Sequence, residues 1–278
     1  MVVGSGMERE QKKQRLDLVV VERGLAETRA RAQALIMGGA VSVDGSVVSR
    51  PASLVSPGAA VELVSQPVPY VSRGGLKLRH ALDQFGLDVS GAVALDVGAS
   101  TGGFTDVLVQ AGARRVYAVD VGYGQLAWRL RNDPRVVVME RTNIRNVQSL
   151  PEMADIAVID VSFISLHLVL PVVHTLLDER GQAVPLIKPQ FEAGRERVGK
   201  KGVVRDPAVW REVLERILGY ARNTGWTVRG LVRSPILGPA GNVEFLAHLS
   251  KETASEETDI GRLITETLDE SLRPRSLR

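Results

Sequence analysis

A glycine-rich segment at residues 94–106 carries the sharpest local signal for chemistry in the sequence. It reads ALDVGASTGGFTD: an apolar strand that ends in an acid, then a turn, then the start of a helix. This order places bare backbone and N–H groups beside a ligand at the carboxyl edge of a sheet. A second acid, Asp120, ends the next predicted strand about 20 residues later, where such folds hydrogen-bond a ribose hydroxyl. The segment predicts a pocket of the nucleotide-binding type.

The spacing of the glycines favours one ligand. A dinucleotide site needs Gly-x-Gly-x-x-Gly, whereas here Ser100 takes the middle position, and no P-loop lysine follows. An acid directly before the turn favours S-adenosylmethionine, which needs close backbone approach and brings no pyrophosphate. The alternative is a structural turn in an unrelated α/β fold. The predicted cofactor-binding residues are Asp96, Gly98, Ser100, Gly102, Gly103, Phe104, Asp120, Asn143 and Asp160.

Two aromatic residues and one amide are weaker candidates at this pocket. Asn143 follows the third predicted strand and is a candidate for the adenine end of the cofactor. Phe104 and Phe163 could stack on a base or a sulfonium. Aromatic rings at strand ends more often pack in a core, however, and we expect this of both.

The sequence narrows the chemical class of the methyl acceptor, because it lacks the motifs that two classes of acceptor usually require. Methylation at carbon-5 of a pyrimidine usually requires a cysteine nucleophile, and the chain contains no cysteine. Methylases of exocyclic amines usually carry Asn/Asp-Pro-Pro-Tyr/Phe after the fourth strand, whereas this chain has DVSF at residues 160–163. A hydroxyl group is therefore the favoured acceptor.

Two lysines and two acids are suited to hydroxyl chemistry, because a ribose hydroxyl must be polarised or deprotonated while it is held in line. Lysine accepts a proton only when neutral, and burial or a second ammonium lowers its pKa. Asp160, Lys188 and Glu244 fall at the ends of the fourth, fifth and seventh predicted strands, and Lys77 falls on the first predicted helix of this region. Each alone has an ordinary structural explanation; together they form a candidate catalytic set.

Seven predicted strands position these residues. They cover residues 93–97, 116–121, 136–139, 156–161, 183–187, 227–232 and 243–249. Crossover-length segments separate the first five strands, which predicts a parallel sheet with helices on both faces. The connection before the last strand is too short for a helical crossover and predicts an antiparallel return. The region is predicted to be α/β, a Rossmann-like seven-stranded sheet with an antiparallel last strand.

A small α/β unit is predicted to precede this sheet. Helices are expected at residues 16–23 and from Thr28 to Gly38, followed by a hairpin around Asp44-Gly45 and a strand at residues 60–64. Prolines at 67 and 69 mark a linker. The predicted organisation is a flexible N-terminus (1–14), the small unit (15–64), the linker (65–71), the large domain (72–250) and an acidic tail (251–278) with a marginal helix.

Composition excludes several classes of function. The 278 residues carry a formal net charge of +3, and the lack of cysteine removes disulfides, thiolate metal sites and thiol nucleophiles. The four histidines show no metal spacing, so we expect no metal site. No apolar run is long enough for a bilayer span and no secretory signal is present, so we expect a cytoplasmic protein that does not enter membranes. Six basic residues between Lys188 and Arg205 suggest a loop that contacts RNA phosphates.

The two halves resemble known families. The pattern from Arg15 through TRARAQALI (28–36) to GAVSVDG (39–45) is similar to a small RNA-binding domain of a ribosomal small-subunit protein and of pseudouridine synthases. Nearly the whole chain resembles the TlyA family, through SRGG (72–75), the segment from Asp96 to Asp106, DVSFIS (160–165), KPQFE (188–192) and GNVEF (241–245). Members of that family are ribosomal RNA 2′-O-methyltransferases with a catalytic domain like that of FtsJ methyltransferases, and some are named haemolysins.

The resemblance implies roles for individual residues. Lys188 becomes the base, Asp160 and Glu244 its orienters, and Lys77 the residue that positions the 2′-hydroxyl. It implies a class I methyltransferase sheet, with ribosomal RNA or ribosomal subunits as partners; the oligomeric state stays open. The expected RNA-binding residues are Arg15, Arg29, Arg31, Arg73, Lys200 and Lys201. Two alternatives remain at this point: a membrane-damaging haemolysin, and an RNA-binding or ribosome assembly factor without catalysis.

Overall fold

A computed structural model describes residues 13–64, 68–199, 202–253 and 258–272 of the chain. The chain divides into a small unit, Met1–Arg73, and a large unit, Gly74–Arg278. Most of the predicted flexible N-terminus, residues 65–67 of the predicted linker, and Lys200 and Lys201 lie outside the described residues.

The small unit contains two helices and five short strands. They are β1 (Gln14–Arg15), α1 (Leu16–Glu22), α2 (Arg29–Met37), β2 (Val41–Val43), β3 (Ser46–Val47), β4 (Leu54–Val55) and β5 (Val61–Leu63). Thr28 is the N-cap of α2, because its hydroxyl accepts a hydrogen bond from the Arg31 backbone N–H at 3.2 Å. Asp44 and Gly45 both have positive φ, as a tight hairpin between β2 and β3 requires. The predicted helices, hairpin and last strand are all present.

The sheets of the small unit are antiparallel. β2 lies between β3 and β5, and β1 pairs separately with β4, a pairing that the sequence analysis did not predict. The buried core is formed by apolar side chains of both helices and of the strands, among them Leu16, Val20, Ile36, Val41 and Val61. The sheet and the helices therefore share one core.

The large unit is built on a seven-stranded sheet. Its elements are α3 (Gly74–Phe85), β6 (Val93–Val97), α4 (Gly103–Gln110), β7 (Arg115–Val119), α5 (Trp128–Arg131), β8 (Val136–Met139), β9 (Ala154–Ile159), α6 (Leu170–Leu176), β10 (Leu177–Ile187), α7 (Pro189–Glu192), α8 (Pro207–Asn223), β11 (Thr227–Arg233), β12 (Phe245–Ser250) and α9 (Ile260–Leu272). The strand order is β11-β12-β10-β9-β6-β7-β8. β12 is antiparallel to both of its neighbours and the other pairings are parallel. The predicted α/β sheet with an antiparallel last strand is confirmed.

The strand ends place the acids at one edge of the sheet. β7 and β9 end at Val119 and Ile159, two residues earlier than predicted, so that Asp120 and Asp160 are the first residues beyond them. β10 begins six residues before the predicted start, because its pairing with β9 resumes after a register shift between Leu177 and Gln182. The residues at that shift are mostly polar, so the sequence did not indicate a strand there.

The predicted acidic tail contains a helix that packs on the large unit. α9 lies against α8 and β11, and Ile260, Ile264 and Leu268 are buried at helical spacing. The Thr267 hydroxyl donates to the Leu231 carbonyl of β11 at 3.1 Å. This segment therefore contributes to the core, where the sequence predicted only a marginal helix.

None of the helices in the described ranges combines the length and apolar character that a membrane crossing needs.

Candidate active site

The glycine-rich turn after β6 contains positions where the backbone conformation or a close backbone contact favours a small residue. Gly98 has φ +87°, and a Cβ added there would lie 2.5 Å from the Asp160 carbonyl oxygen. Gly102 precedes α4 with φ +96°. Ser100 also has a positive φ, and its backbone N–H donates to Asp120 Oδ2 at 2.8 Å. The turn therefore brings the backbones that follow β6 and β9 into direct contact.

A cavity of about 670 Å³ opens beside this turn. The loops after β6, β7, β8 and β9 line it, and five of the predicted cofactor-binding residues are among its walls: Gly98, Ser100, Asp120, Asn143 and Asp160. Asp120 Oδ1 also accepts a hydrogen bond from the Gly122 N–H at 2.6 Å, which fixes the carboxylate at the cavity wall. The predicted residues Asp96, Gly102, Gly103 and Phe104 lie behind the wall, outside its lining.

Asp96 is fully buried beneath the turn. The Thr105 hydroxyl donates to Asp96 Oδ2 at 2.5 Å, while Oδ1 has no hydrogen-bond partner among the described residues. Burial raises the pKa of Asp96 to about 7, and the Thr105 hydrogen bond opposes that rise. The Asp96 carboxyl, behind the cavity wall, therefore has a pKa close to neutral pH.

The two phenylalanines behave differently. Phe104 is buried, as expected for a core residue. Phe163 was also expected in the core, and that expectation is wrong: its side chain is 90% exposed and its backbone has φ +63°. It lines the cavity and its ring contacts Phe191, with ring centroids 4.8 Å apart. The loop after β9 turns sharply at this residue and therefore directs the ring away from the core.

The four candidate catalytic residues form two ion pairs, of which Lys77–Glu244 is buried and Lys188–Asp160 is partly exposed at the acid. Lys188 Nζ lies 2.6 Å from Asp160 Oδ1 and donates to Ser162 Oγ at 3.0 Å. Lys77 Nζ lies 2.5 Å from Glu244 Oε2. Glu244 was expected to orient Lys188, whereas the structure places its carboxylate on Lys77. Each lysine therefore has its own acid.

Two further residues complete this cluster and were given no role by the sequence analysis. Ser162 accepts the hydrogen bond from Lys188, and Gln190 Nε2 donates to Glu244 Oε1 at 3.3 Å. Gln190 therefore connects the Lys188 loop with the Lys77–Glu244 pair. A Cβ on Gly238 would overlap the Glu244 carboxylate, so the loop before β12 needs glycine there. Ser162 follows Asp160 by two residues, and Gln190 follows Lys188 by two residues. This spacing is the sequence signal from which the two residues could have been predicted.

The predicted RNA-binding residues of the small unit surround one buried acid. Arg15 donates to both carboxylate oxygens of Asp17, at 3.0 and 2.9 Å, and Arg29 Nε donates to Oδ2 at 3.0 Å. Gln33 adds a hydrogen bond at 2.9 Å. The Arg15 hydrogen bonds hold the pKa of Asp17 well below its usual range, although burial opposes them. Two of the expected RNA contacts are thus fixed in place by an acid that the sequence analysis did not single out.

The other predicted RNA-binding residues that the structure describes are not among the residues that contact Asp17. Arg31 is exposed in the first turn of α2, and Arg73 is partly buried at the end of the small unit. Lys200 and Lys201 lie outside the described residues. Among the side chains that the structure describes, no group of three or more histidines or acids is arranged to hold a metal ion.

Comparisons with known proteins agree with this geometry. Residues 70–251 match the FtsJ-like methyltransferase family, and residues 14–61 match the S4 domain. A Bacillus subtilis protein named "Putative rRNA methyltransferase YqxC" is 52% identical over 241 residues, covering 86% of both chains. The 16S/23S rRNA (cytidine-2′-O)-methyltransferase TlyA of Mycobacterium tuberculosis is 46% identical over 242 residues, covering 86% of this chain and 90% of that one.

A solved structure supports the same grouping. It is described as a "putative hemolysin" from Streptococcus thermophilus, with 44% identity and a TM-score of 0.72, and covers 94% of this chain and 97% of that one. The sequence relatives, the matching domains and the site geometry converge. The chain belongs to the TlyA family of methyltransferases, with an S4 domain followed by an FtsJ-like methyltransferase domain.

Proposed function

We propose that this protein transfers a methyl group from S-adenosylmethionine to the 2′-hydroxyl of a cytidine ribose in ribosomal RNA. The observation that carries the proposal is the pair of lysine–carboxylate contacts, Lys188–Asp160 and Lys77–Glu244, at the carboxyl edge of the sheet. The choice of cytidine rests on the relative from Mycobacterium tuberculosis, whose name gives cytidine-2′-O as its target. A cytoplasmic location is part of the same proposal, because it fits a ribosomal RNA substrate.

The residues of the cavity fit S-adenosylmethionine. Gly98 leaves backbone without a side chain at the point where the loops after β6 and β9 touch, and Asp120 presents a fixed carboxylate beside it. Asp120 would hold the ribose hydroxyls, Asn143 would contact the adenine end, and the turn from Gly98 to Ser100 would lie against the amino-acid part. When bound, S-adenosylmethionine supplies a methyl group activated by a positively charged sulfonium.

Lys188 is the proposed base. Its Nζ is nearly buried and contacts both Asp160 and the Ser162 hydroxyl, so the amine has a fixed direction. A neutral amine accepts the proton of the attacking 2′-hydroxyl, and the Asp160 carboxylate stabilises the ammonium that results. Ser162 accepts a hydrogen bond from the same amine and keeps it oriented through the transfer.

Lys77 is the proposed positioning charge. Its ammonium is buried beside Glu244, which neutralises it, and Gln190 holds the other carboxylate oxygen of Glu244. Lys77 would donate to the 2′-oxygen or to the adjacent phosphate and so align the acceptor with the methyl group. Glu244 serves this role by fixing Lys77 and does not contact Lys188.

The S4 domain is the proposed source of RNA affinity. Arg15 and Arg29 are held by Asp17 but keep roughly half of their side-chain surface exposed, and Arg31 is exposed in the first turn of α2. Guanidinium groups fixed in this way lose little freedom when they bind phosphates. Arg73, Lys200 and Lys201 are proposed as additional phosphate contacts. The target nucleotide would be turned out of its stack to reach the cleft.

The experiment is transfer of tritiated methyl from S-adenosylmethionine to unmodified ribosomal subunits, followed by mapping of alkali-resistant 2′-O-methyl linkages. Lys188→Ala should lower the transfer rate by about 100-fold or more, since it removes the general base. Arg180→Ala is the matched control, because its side chain is 86% exposed, pairs with Glu252 and lies near the opposite end of β10 from Lys188; its rate should equal that of wild type.

Label on a base would overturn the proposed acceptor. Label on neither subunit would favour an RNA-binding factor without catalysis. Lysis of membranes by the purified protein, unchanged by Lys188→Ala, would favour the haemolysin alternative.

A further inference from the structure

Glu192 is a buried acid that the proposed mechanism does not use. It ends α7, four residues after Lys188, and its side chain is only 3% exposed. Its Oε2 accepts a hydrogen bond from the Ser165 hydroxyl at 2.8 Å, and its Oε1 accepts one from the Leu166 backbone N–H at 2.9 Å. Both partners belong to the loop after β9, residues 160–166, which we name the β9 loop.

The β9 loop is therefore attached to the segment after β10 at two points. At its beginning, Asp160 and Ser162 contact Lys188. At its end, Ser165 and Leu166 contact Glu192. Lys188 and Glu192 flank the same short helix, so one rigid turn holds both ends of the loop.

The backbone of the β9 loop between these attachments is strained. Phe163 has φ +63°, a conformation uncommon for a bulky side chain, and its ring is 90% exposed. Such a backbone persists only where its surroundings fix it. The contacts of Lys188 and Glu192 on either side supply that constraint.

Glu192 is itself held from a third element. Arg216 of α8 donates to the Glu192 backbone carbonyl and lies 3.9 Å from its Oε2. On the same helix, the Tyr220 hydroxyl donates to the His167 carbonyl at 3.1 Å, just beyond the β9 loop. α8 thus supports both the acid and the chain that it holds.

We infer that Glu192 is a positioning residue: by anchoring the far end of the β9 loop, it keeps Asp160 and Ser162 in contact with Lys188. The inference rests on the proposed function only for its effect on rate. The anchoring itself is a property of the loop and can be measured without RNA.

The first test compares hydrogen exchange of peptides from residues 160–168 in the full-length wild type, Glu192→Ala and Glu215→Ala. Glu215 is an exposed acid on α8 and serves as the matched control. Exchange should rise clearly in Glu192→Ala and stay at the wild-type level in the control. Unchanged exchange in a folded Glu192→Ala protein would overturn the inference, whatever the methyl acceptor proves to be.

The second test separates positioning from general stability. In single-turnover methyl transfer to ribosomal subunits, Glu192→Ala should lower the rate constant by about 10 to 100-fold, because misplacement of a catalytic group by about 1 Å has effects of that size. The dissociation constant for S-adenosylmethionine should change less than about 3-fold. Glu192→Gln should recover most of the rate, since its amide oxygen still accepts from Leu166 N–H.

Two further results would decide against the inference. A rate for Glu192→Ala within about 2-fold of wild type would overturn it, as would a parallel loss of rate and cofactor affinity that Glu192→Gln does not restore. If Glu192→Ala does not fold, Ser165→Ala removes one of the two hydrogen bonds to the Glu192 carboxylate, together with the hydroxyl's contacts with His167, and should still raise loop exchange. Wild type that transfers no methyl to ribose would refute the proposed function and leave the exchange test of Glu192 intact.

Discussion

Each unit of the molecule contains an aspartate that is closed to solvent, and the pKa values of the two are shifted in opposite directions. Asp17 in the S4 domain accepts hydrogen bonds from two arginines and a glutamine, and its pKa lies well below the usual range. Asp96 in the methyltransferase domain accepts one from a threonine hydroxyl, and its pKa is about 7. Both side chains are closed to solvent, but Asp96 lies deep in the fold and Asp17 lies close to the surface beneath its arginines; the number and charge of the donors also differ.

The difference shows how a buried carboxyl can serve two purposes. Asp17 has a lowered pKa, so it stays ionised and can hold positively charged side chains at the surface proposed to bind RNA. Asp96 has a pKa of about 7, so it is partly protonated at neutral pH and carries less negative charge than an ordinary aspartate beside a pocket proposed to hold a sulfonium and adenosine. The local donors, and not burial alone, decide which role is possible.

Replacing Asp17 should have the largest effect. Asp17→Ala removes the shared acceptor of Arg15, Arg29 and Gln33 and should destabilise the S4 domain by about 2 to 4 kcal/mol. Hydrogen exchange of peptides from residues 14–37 measures this loss. Glu22→Ala, at an exposed position on α1, is the control and should leave exchange unchanged. Equal exchange in both variants would remove Asp17 as the anchor of this surface.

The pH dependence of stability should have opposite signs in the two domains. The folded state raises the pKa of Asp96, so the stability it contributes is complete below about pH 4 and is lost as the pH rises through 7. Between pH 5 and 7 the methyltransferase domain should lose about 2 kcal/mol from this group. Asp17 has a lowered pKa, and its contribution is lost only in acid, below about pH 4.

Tryptophan fluorescence during denaturant unfolding measures the first of these slopes, because all three tryptophans lie in the methyltransferase domain. Asp96→Asn should flatten the dependence between pH 5 and 7. A slope that survives this substitution would assign the titration to another group.

The donor to Asp96 should have a smaller effect. Thr105→Val removes the hydroxyl that donates to Oδ2, so the ionised form loses a stabilising hydrogen bond. Stability should fall by about 1 to 2 kcal/mol at pH 8 and by less at pH 5, where the carboxyl is protonated. Thr105→Ser keeps the hydroxyl and is the control. The same loss at both pH values would show that the effect comes from packing.

Single arginines of the S4 domain should have the smallest effect. Arg29→Ala and Arg31→Ala should each weaken binding of a ribosomal RNA fragment by about 3 to 10-fold at low salt and reduce the salt dependence by about one phosphate contact. Only Arg29→Ala should also increase exchange in residues 14–37, because Arg29 contacts Asp17. Equal exchange in the two variants would mean that Asp17 does not depend on Arg29.

Much of the fold was predictable because its strands are short apolar runs bounded by glycine and acids. The runs that end in Asp96, Asp120 and Asp160 fixed the edge where ligands bind, and the short connection before β12 fixed the antiparallel return. Three members of the cluster, Asp160, Lys188 and Glu244, could be named for the same reason, since they fall at strand ends. Lys77 lies on α3 instead.

The pairing within the cluster could not be predicted, because it depends on side-chain direction. Glu244 points to Lys77 and away from its expected partner, since the loop at Gly238 lets its carboxylate approach α3. The exposure of Phe163 follows from a positive φ that no sequence pattern indicates. Glu192 reads as an ordinary helix acid until its contacts with Ser165 and Leu166 are known.

The insertion of β12 between β10 and β11 has a consequence for synthesis of the chain on the ribosome. The S4 domain closes its sheet with β5, so all of its described strands have been synthesised once residue 63 is made. Among the strands that the structure describes, β11 pairs only with β12, so it has no neighbour until residues 245–250 are made. The methyltransferase sheet is therefore assembled late, with β11 and β12 joining β10 as one hairpin after the RNA-binding domain has already folded.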